Sequence, residues 1–185
     1  MHHFKIDKLK FDNQYIIRFK GLKEGIHNFK FAINKEFFMK FDALEARDGT
    51  VEVIANLIKR SEFLTLDILI KGTVEVQCDR CLEYFNYPIE YSSILVVKFS
   101  ENSSEQSDDM IILNPNDNEL NLTHHIYEFI SLAIPYRKIH PESADGKSLC
   151  KSDMLQRIRE FEVKQDEEAI KTNWEKLKYY FANNN

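Results

Sequence analysis

The sequence centres on a stretch in which two cysteines interrupt a run of alternating polar and apolar residues. It reads Val74-Glu75-Val76-Gln77-Cys78-Asp79-Arg80-Cys81-Leu82-Glu83-Tyr84-Phe85-Asn86-Tyr87-Pro88. Two residues separate Cys78 from Cys81, and this spacing lets two thiolates converge on one metal ion. The flanking residues have an extended pattern. The stretch therefore predicts a connection between two strands that carries a pair of thiols.

Long strands are predicted on both sides of this connection. Residues 51–59 and 63–76 come before it, and residues 87–99 follow it, all with apolar residues at alternate positions. One face of such a sheet is apolar and the other is mixed, which is typical of an antiparallel sheet covered on one side. Gly72 lies inside the second strand and indicates a β-bulge.

The remaining predicted elements are shorter. Asn34 is a suitable N-cap for a short helix whose phenylalanines enter the core, and Thr123 is a suitable N-cap for a helix that Pro135 ends. Residues 100–109 are polar and acidic and predict a surface loop. Three further strands are predicted at residues 15–19, 26–33 and 110–113. Two charged helical segments are predicted at residues 153–165 and 167–181.

Together these patterns predict the α+β class, with an antiparallel, curved or barrel-like sheet, a packed helix and a helical C-terminal tail. Residues 1–150 are assigned to a single domain. Residues 151–185 are assigned to a charged helical tail that packs on the domain or on a partner. In this tail Trp174, Leu177 and Phe181 are three and four residues apart, which is helical spacing.

The composition excludes several classes of protein. The chain has 185 residues, of which 43% are hydrophobic, so it can form a sizeable core. A formal charge of -5 argues against a general nucleic-acid coat, which needs a basic face. No apolar run approaches the roughly 18 residues of a membrane span, and the N-terminus has no signal-peptide pattern. We therefore expect a cytoplasmic protein with reduced thiols.

Four residues are candidate metal ligands: Cys78, Cys81, His140 and Cys150. Structural zinc takes four sulfur, nitrogen or oxygen ligands. A Cys3His set would use every cysteine of the chain and join the sheet to the loop after the second helix. Spacing alone also allows a redox-active thiol pair or plain buried thiols. Redox pairs normally begin a helix, whereas the flanks of this pair predict strands.

The sequence contains no motif of a known enzyme class. It has no Gly-rich phosphate loop and no Gly-x-Ser-x-Gly turn. The carboxylates are scattered over charged segments, where they are usually solvated. We expect no catalytic activity, no membrane association and no small-molecule substrate.

The chain resembles the YceD family, the large ribosomal RNA subunit accumulation proteins. The resemblance extends from about Gly25 to Phe181. It rests on these features in order: Cys78-Asp79-Arg80-Cys81-Leu82, the acidic loop, Asn121-Leu122-Thr123, Glu128, Leu132-Ala133-Ile134-Pro135, His140, Cys150 and Trp174 near the C-terminus.

The resemblance implies a bacterial cytoplasmic protein of ribosome biogenesis without an established catalytic activity. It implies that the four candidate ligands occupy the family's cysteine and histidine positions, in agreement with a structural zinc. It also implies that Arg80 occupies a basic position inside the cysteine pair.

We therefore expect a factor that supports the accumulation of large-subunit ribosomal RNA by binding this RNA, its precursor, or a ribosomal or processing protein. The candidate contact residues are basic: Arg80, Arg137, Lys138 and Lys147. Such residues can contact phosphates even on an acidic protein. Salt screens the repulsion from acidic groups that lie farther away than a Debye length of about 8 Å. The alternative is a zinc-stabilised adaptor that binds only protein.

Overall fold

A computed structural model describes residues 13–41, 44–101, 110–161 and 180. The chain divides into two compact units, Met1–His140 and Pro141–Asn185. The assignment of residues 1–150 to one domain stays a prediction. No helix in the described ranges is both long enough and apolar enough to cross a membrane.

The first unit holds every strand of the described chain, two α-helices and a short 3-10 helix, Asn13–Tyr15. The strands are β1 (Ile16–Arg18), β2 (Gly25–Ile33), β3 (Ala46–Lys59), β4 (Phe63–Gln77), β5 (Tyr84–Phe99), β6 (Met110–Leu113) and β7 (Glu119–Asn121). The helices are α1 (Lys35–Phe38), α2 (Thr123–Ala133) and, in the second unit, α3 (Ser152–Phe161).

The main sheet has five strands in the order β2-β3-β4-β5-β6. The first four are antiparallel to one another, and their alternating burial confirms the predicted period of two. The apolar face of β4 is fully buried, from Leu64 to Val76. Burial of every second residue explains why this pattern was visible in the sequence.

Two features of the sheet differ from the prediction. Strand β6 runs parallel to β5, so the sheet is mixed. The sheet was expected to be antiparallel, but alternation within a strand carries no information about its direction. Among the described residues the sheet is also open, since β2 and β6 each pair with only one neighbour. The barrel-like form was therefore wrong.

Helix α2 begins beside a second, two-stranded sheet formed by β1 and β7. The N–H of Leu122 donates to the carbonyl of Tyr15 at 2.9 Å. Thr123 begins the helix rather than capping it, and its own N–H donates to Asn121 Oδ1 at 2.9 Å. The helix ends at Ala133, Ile134 has an extended backbone, and an irregular segment then leads to His140.

The buried face of α2 carries the predicted apolar side chains. Ile126 and Ile130 are fully buried, and the ring of Phe129 lies 5.4 Å from that of Tyr91 on β5, centroid to centroid. The short helix α1 likewise buries Phe37, as expected. Asn34 occupies its N-cap position but forms no capping hydrogen bond through its side chain.

Gly72 marks a close approach of strands and not a bulge. It pairs in regular register with Val51 and Ile89. A Cβ atom at this position would lie 2.2 Å from the carbonyl oxygen of Thr50, so only glycine fits. The irregularity in this region lies in β3, next to Ala46.

Helix α3 coincides with the start of the predicted helical segment 153–165. The remainder of that segment lies outside the described residues. So does nearly all of the predicted segment 167–181, including Trp174 and Leu177.

Candidate metal centre

The turn between β4 and β5 directs both cysteines of the pair inward. The N–H of Cys78 donates to the carbonyl of Glu83, and the N–H of Leu82 donates to the carbonyl of Cys78, each at 2.9 Å. Leu82 closes the turn with a φ of 61°, a conformation that costs a non-glycine residue about 1–2 kcal/mol. The thiols of Cys78 and Cys81 are almost completely buried as a result.

His140 reaches this turn from the segment that follows α2. Its Nδ1 lies 3.4 Å from the Sγ of Cys81. Its ring stacks on Phe85, with 4.4 Å between centroids and 29° between planes. The stacking fixes the ring plane, so Phe85 orients the nitrogen that faces the sulfur.

A reciprocal pair of hydrogen bonds joins the same segment to the turn. The N–H of Asp79 donates to the carbonyl of Lys138 at 2.7 Å, and the N–H of Lys138 donates to Asp79 Oδ2 at 2.6 Å. Because Lys138 is two residues before His140, this pair sets the position of the histidine. The residue between the two cysteines therefore helps to build the site.

Cys150 ends a loop of the second unit, residues 141–150, that closes on itself. The N–H of Leu149 donates to the carbonyl of Pro141 at 3.4 Å. The Cys150 side chain is buried, and its thiol, like those of the other two cysteines, is free of disulfides.

The ligand atoms of all four predicted residues meet in one cluster. The three Sγ atoms and a ring nitrogen of His140 all lie within 4.8 Å of one another. A tetrahedral zinc site, with bonds of about 2.3 Å to sulfur and about 2.0 Å to nitrogen, has ligand-to-ligand edges of about 3.5–3.8 Å. The Cys81–His140 distance of 3.4 Å is close to this edge. The donor set and its size therefore fit zinc.

The surroundings of Cys78 lower the pKa of its thiol and so favour the thiolate, the form that metals bind. Burial raises its pKa, but hydrogen bonds from the backbone N–H groups of Cys81, Arg80 and His140 and from the His140 side chain outweigh burial. The pKa falls to about 6 from the ordinary value of 9.0. A metal ion coordinates the thiolate, so this sulfur needs no deprotonation at neutral pH.

The predicted basic residues lie in different surroundings. Arg80, Arg137 and Lys147 are exposed. Lys138 is only 9% exposed, and its ammonium group lies 2.7 Å from Glu45 Oε2 and 3.7 Å from Asp79 Oδ1. The hydrogen bond that this ammonium group donates to the Glu45 carboxylate is the main reason that the pKa of Lys138 is raised.

The residues that support the ligands were not predicted from the sequence. Asp79 and Phe85 both lie in the stretch around the cysteine pair, where neither was assigned a role. A carboxylate between two zinc-type cysteines is a usable signal, because it can accept backbone N–H groups near the site. The stacking of Phe85 on His140 depends on tertiary contacts and has no local signal.

Comparison with protein families identifies the same group as the sequence motifs. A family model described as "Large ribosomal RNA subunit accumulation protein YceD" matches residues 66–179, more than half of the chain. The matched range contains all four residues of the cluster. Comparisons with curated proteins and with solved structures give no match. The chain belongs to the YceD family of large ribosomal RNA subunit accumulation proteins.

Proposed function

We propose that this protein is a cytoplasmic ribosome biogenesis factor that binds large-subunit ribosomal RNA or its precursor through a surface stabilised by a structural zinc ion. Membership of a family named for the accumulation of this RNA supports the biological role. The convergence of three buried cysteines and a histidine carries the proposal of zinc.

The zinc ion would be held by Cys78, Cys81, His140 and Cys150. Bound zinc supplies a cross-link in such a set, since four protein ligands leave no open position for a substrate or water. The proposal therefore includes no catalytic step. The chain itself adds the Asp79–Lys138 hydrogen bonds, which hold the histidine segment against the cysteine turn.

The proposed RNA surface comprises Arg80 and Arg137. Each is one residue from the hydrogen-bonded pair Asp79 and Lys138, so the two segments that carry them are neighbours. Both side chains are exposed, and neither guanidinium forms an ion pair with a described residue. Arginine binds phosphate with paired hydrogen bonds, and two such groups suffice for a local contact.

A protein-only adaptor is the second candidate function. The formal charge of -5 favours it, because it opposes general attraction to RNA. The exposed side chain of Leu82, on the same turn as Arg80, is the kind of residue that a protein partner covers.

Recovery of the tagged protein from cells, with and without ribonuclease, separates these functions. We expect the wild type to recover precursors of large-subunit ribosomal RNA, and a variant with Arg80→Ala and Arg137→Ala to recover much less. A variant with Arg18→Ala and Arg60→Ala is the matched control, since it loses the same charge elsewhere. Protein partners that resist ribonuclease, without enriched RNA in the untreated sample, would support the adaptor.

A further inference from the structure

Tyr136 is the most exposed aromatic residue of the described chain. The residue is fully exposed, with a relative accessibility of 101%, although an aromatic ring usually covers part of its surface by packing. It directly precedes Arg137 in the proposed RNA surface. An aromatic ring beside an arginine is the combination with which proteins hold unpaired nucleotides.

The backbone around Tyr136 is anchored on both sides. Ile134 is 8% exposed, and Lys138 is buried and bonded to Asp79. Pro135 lies between these anchors and fixes its own φ near −65°. The ring is therefore presented on a short, constrained segment, and little backbone freedom is lost when a ligand covers it.

We infer that Tyr136 stacks on a base of the bound RNA, and that the surface formed by Arg80, Tyr136 and Arg137 takes unpaired rather than duplex RNA. The inference rests on the proposed function and specifies its ligand. Bases in a duplex are stacked on each other and offer no free face, whereas bases of loops and single strands do. Arg80 and Arg137 supply the phosphate contacts.

Binding of the purified full-length protein to two labelled RNAs tests this inference. One is a single strand of mixed sequence of about 12 nucleotides, within the range of single-stranded sites. The other is a duplex of the same sequence. We expect the wild type to prefer the single strand, and Tyr136→Ala to weaken that binding about tenfold without changing the weak duplex binding.

Two further variants isolate the role of the ring. Tyr136→Phe keeps the stacking face and is expected to bind like the wild type. Leu132→Ala removes a nearby exposed apolar side chain from α2 and is also expected to bind like the wild type. Because both positions are exposed, thermal unfolding should be unchanged in all three variants.

The outcomes distinguish this inference from the proposed function. A wild type that binds neither RNA would contradict the proposed RNA contact, and this inference with it. If the wild type binds the single strand and Tyr136→Ala weakens that binding no more than Leu132→Ala does, only the stacking role would be overturned. Equal affinity for strand and duplex would overturn the preference for unpaired RNA.

Discussion

Asp79 and Lys138, which are 59 residues apart in the sequence, are joined by two hydrogen bonds: the Lys138 N–H donates to Asp79 Oδ2 at 2.6 Å, and the Asp79 N–H donates to the Lys138 carbonyl at 2.7 Å. These bonds hold the segment that bears His140 against the turn that bears Cys81. A preformed ligand set binds its metal more tightly than a flexible one, because less freedom is lost on binding.

Asp79→Ala should therefore weaken both the fold and the metal site. We expect the free energy of unfolding to fall by about 1–3 kcal/mol, because the Lys138 N–H loses its acceptor. Zinc affinity should fall about 10- to 100-fold, as for other residues that orient metal ligands. Urea unfolding and competition with a zinc-binding dye measure the two effects. Asp67→Ala, an exposed carboxylate on β4, is the control, and an equal effect there would refute the role of Asp79.

Lys138→Met should lower stability without affecting RNA binding. The ammonium group is buried against Glu45, whose side chain is largely exposed. We therefore expect a loss of about 1–2 kcal/mol in the free energy of unfolding, at the low end for a buried ion pair. The salt dependence of RNA binding should equal that of the wild type. A smaller salt dependence at unchanged stability would instead show that Lys138 contacts RNA.

The lowered pKa of Cys78 predicts a pH dependence in the zinc-free protein. The thiol titrates at about 6 in the folded chain, below its ordinary 9.0, so the folded state releases this proton at lower pH than the unfolded state. The contribution to stability is complete above pH 9.0 and disappears as the pH falls through about 6. The ultraviolet absorbance of the thiolate should show a midpoint near pH 6 that Cys78→Ser abolishes. A midpoint near the ordinary value would contradict the hydrogen bonding described.

Gly72→Ala should destabilise the sheet strongly. The new methyl group would lie 2.2 Å from the Thr50 carbonyl oxygen and 2.6 Å from the Val51 Cα, so β3 and β4 must separate. We expect a loss of about 3 kcal/mol or more in the free energy of unfolding. Gly21→Ala is the matched control, because its Cβ meets no atom within 4 Å. Equal stability of the two variants would contradict the strand spacing found here.

The sequence allowed prediction of those features that depend on local pattern. Strands β3, β4 and β5 were predictable because their alternating residues face a buried side and a mixed side. The four ligands were predictable because sulfur and imidazole groups are few, and the chain has only three cysteines. In both cases residue type and spacing were enough for the prediction.

The remaining features depend on contacts between distant residues. Lys138 is buried against Glu45, which is 93 residues away in the sequence. Nothing near Lys138 in the sequence indicates this pairing, and a lysine in a loop is therefore predicted to be on the surface. The parallel direction of β6 depends on the path of the chain between strands. A glycine in a strand indicates either a bulge or a close approach of another backbone. Gly72 was interpreted as a bulge, and only the register of β3 and β4 distinguishes the two.

The zinc content of the purified protein tests the central claim most directly. Elemental analysis of untagged wild-type protein, purified without chelators, should give about one zinc per chain, as a closed four-ligand site requires. Cys78→Ser and Cys150→Ser should each lower that value sharply. Less than about a tenth of an equivalent in folded wild-type protein would contradict the account, since four convergent ligands of this type hold zinc tightly.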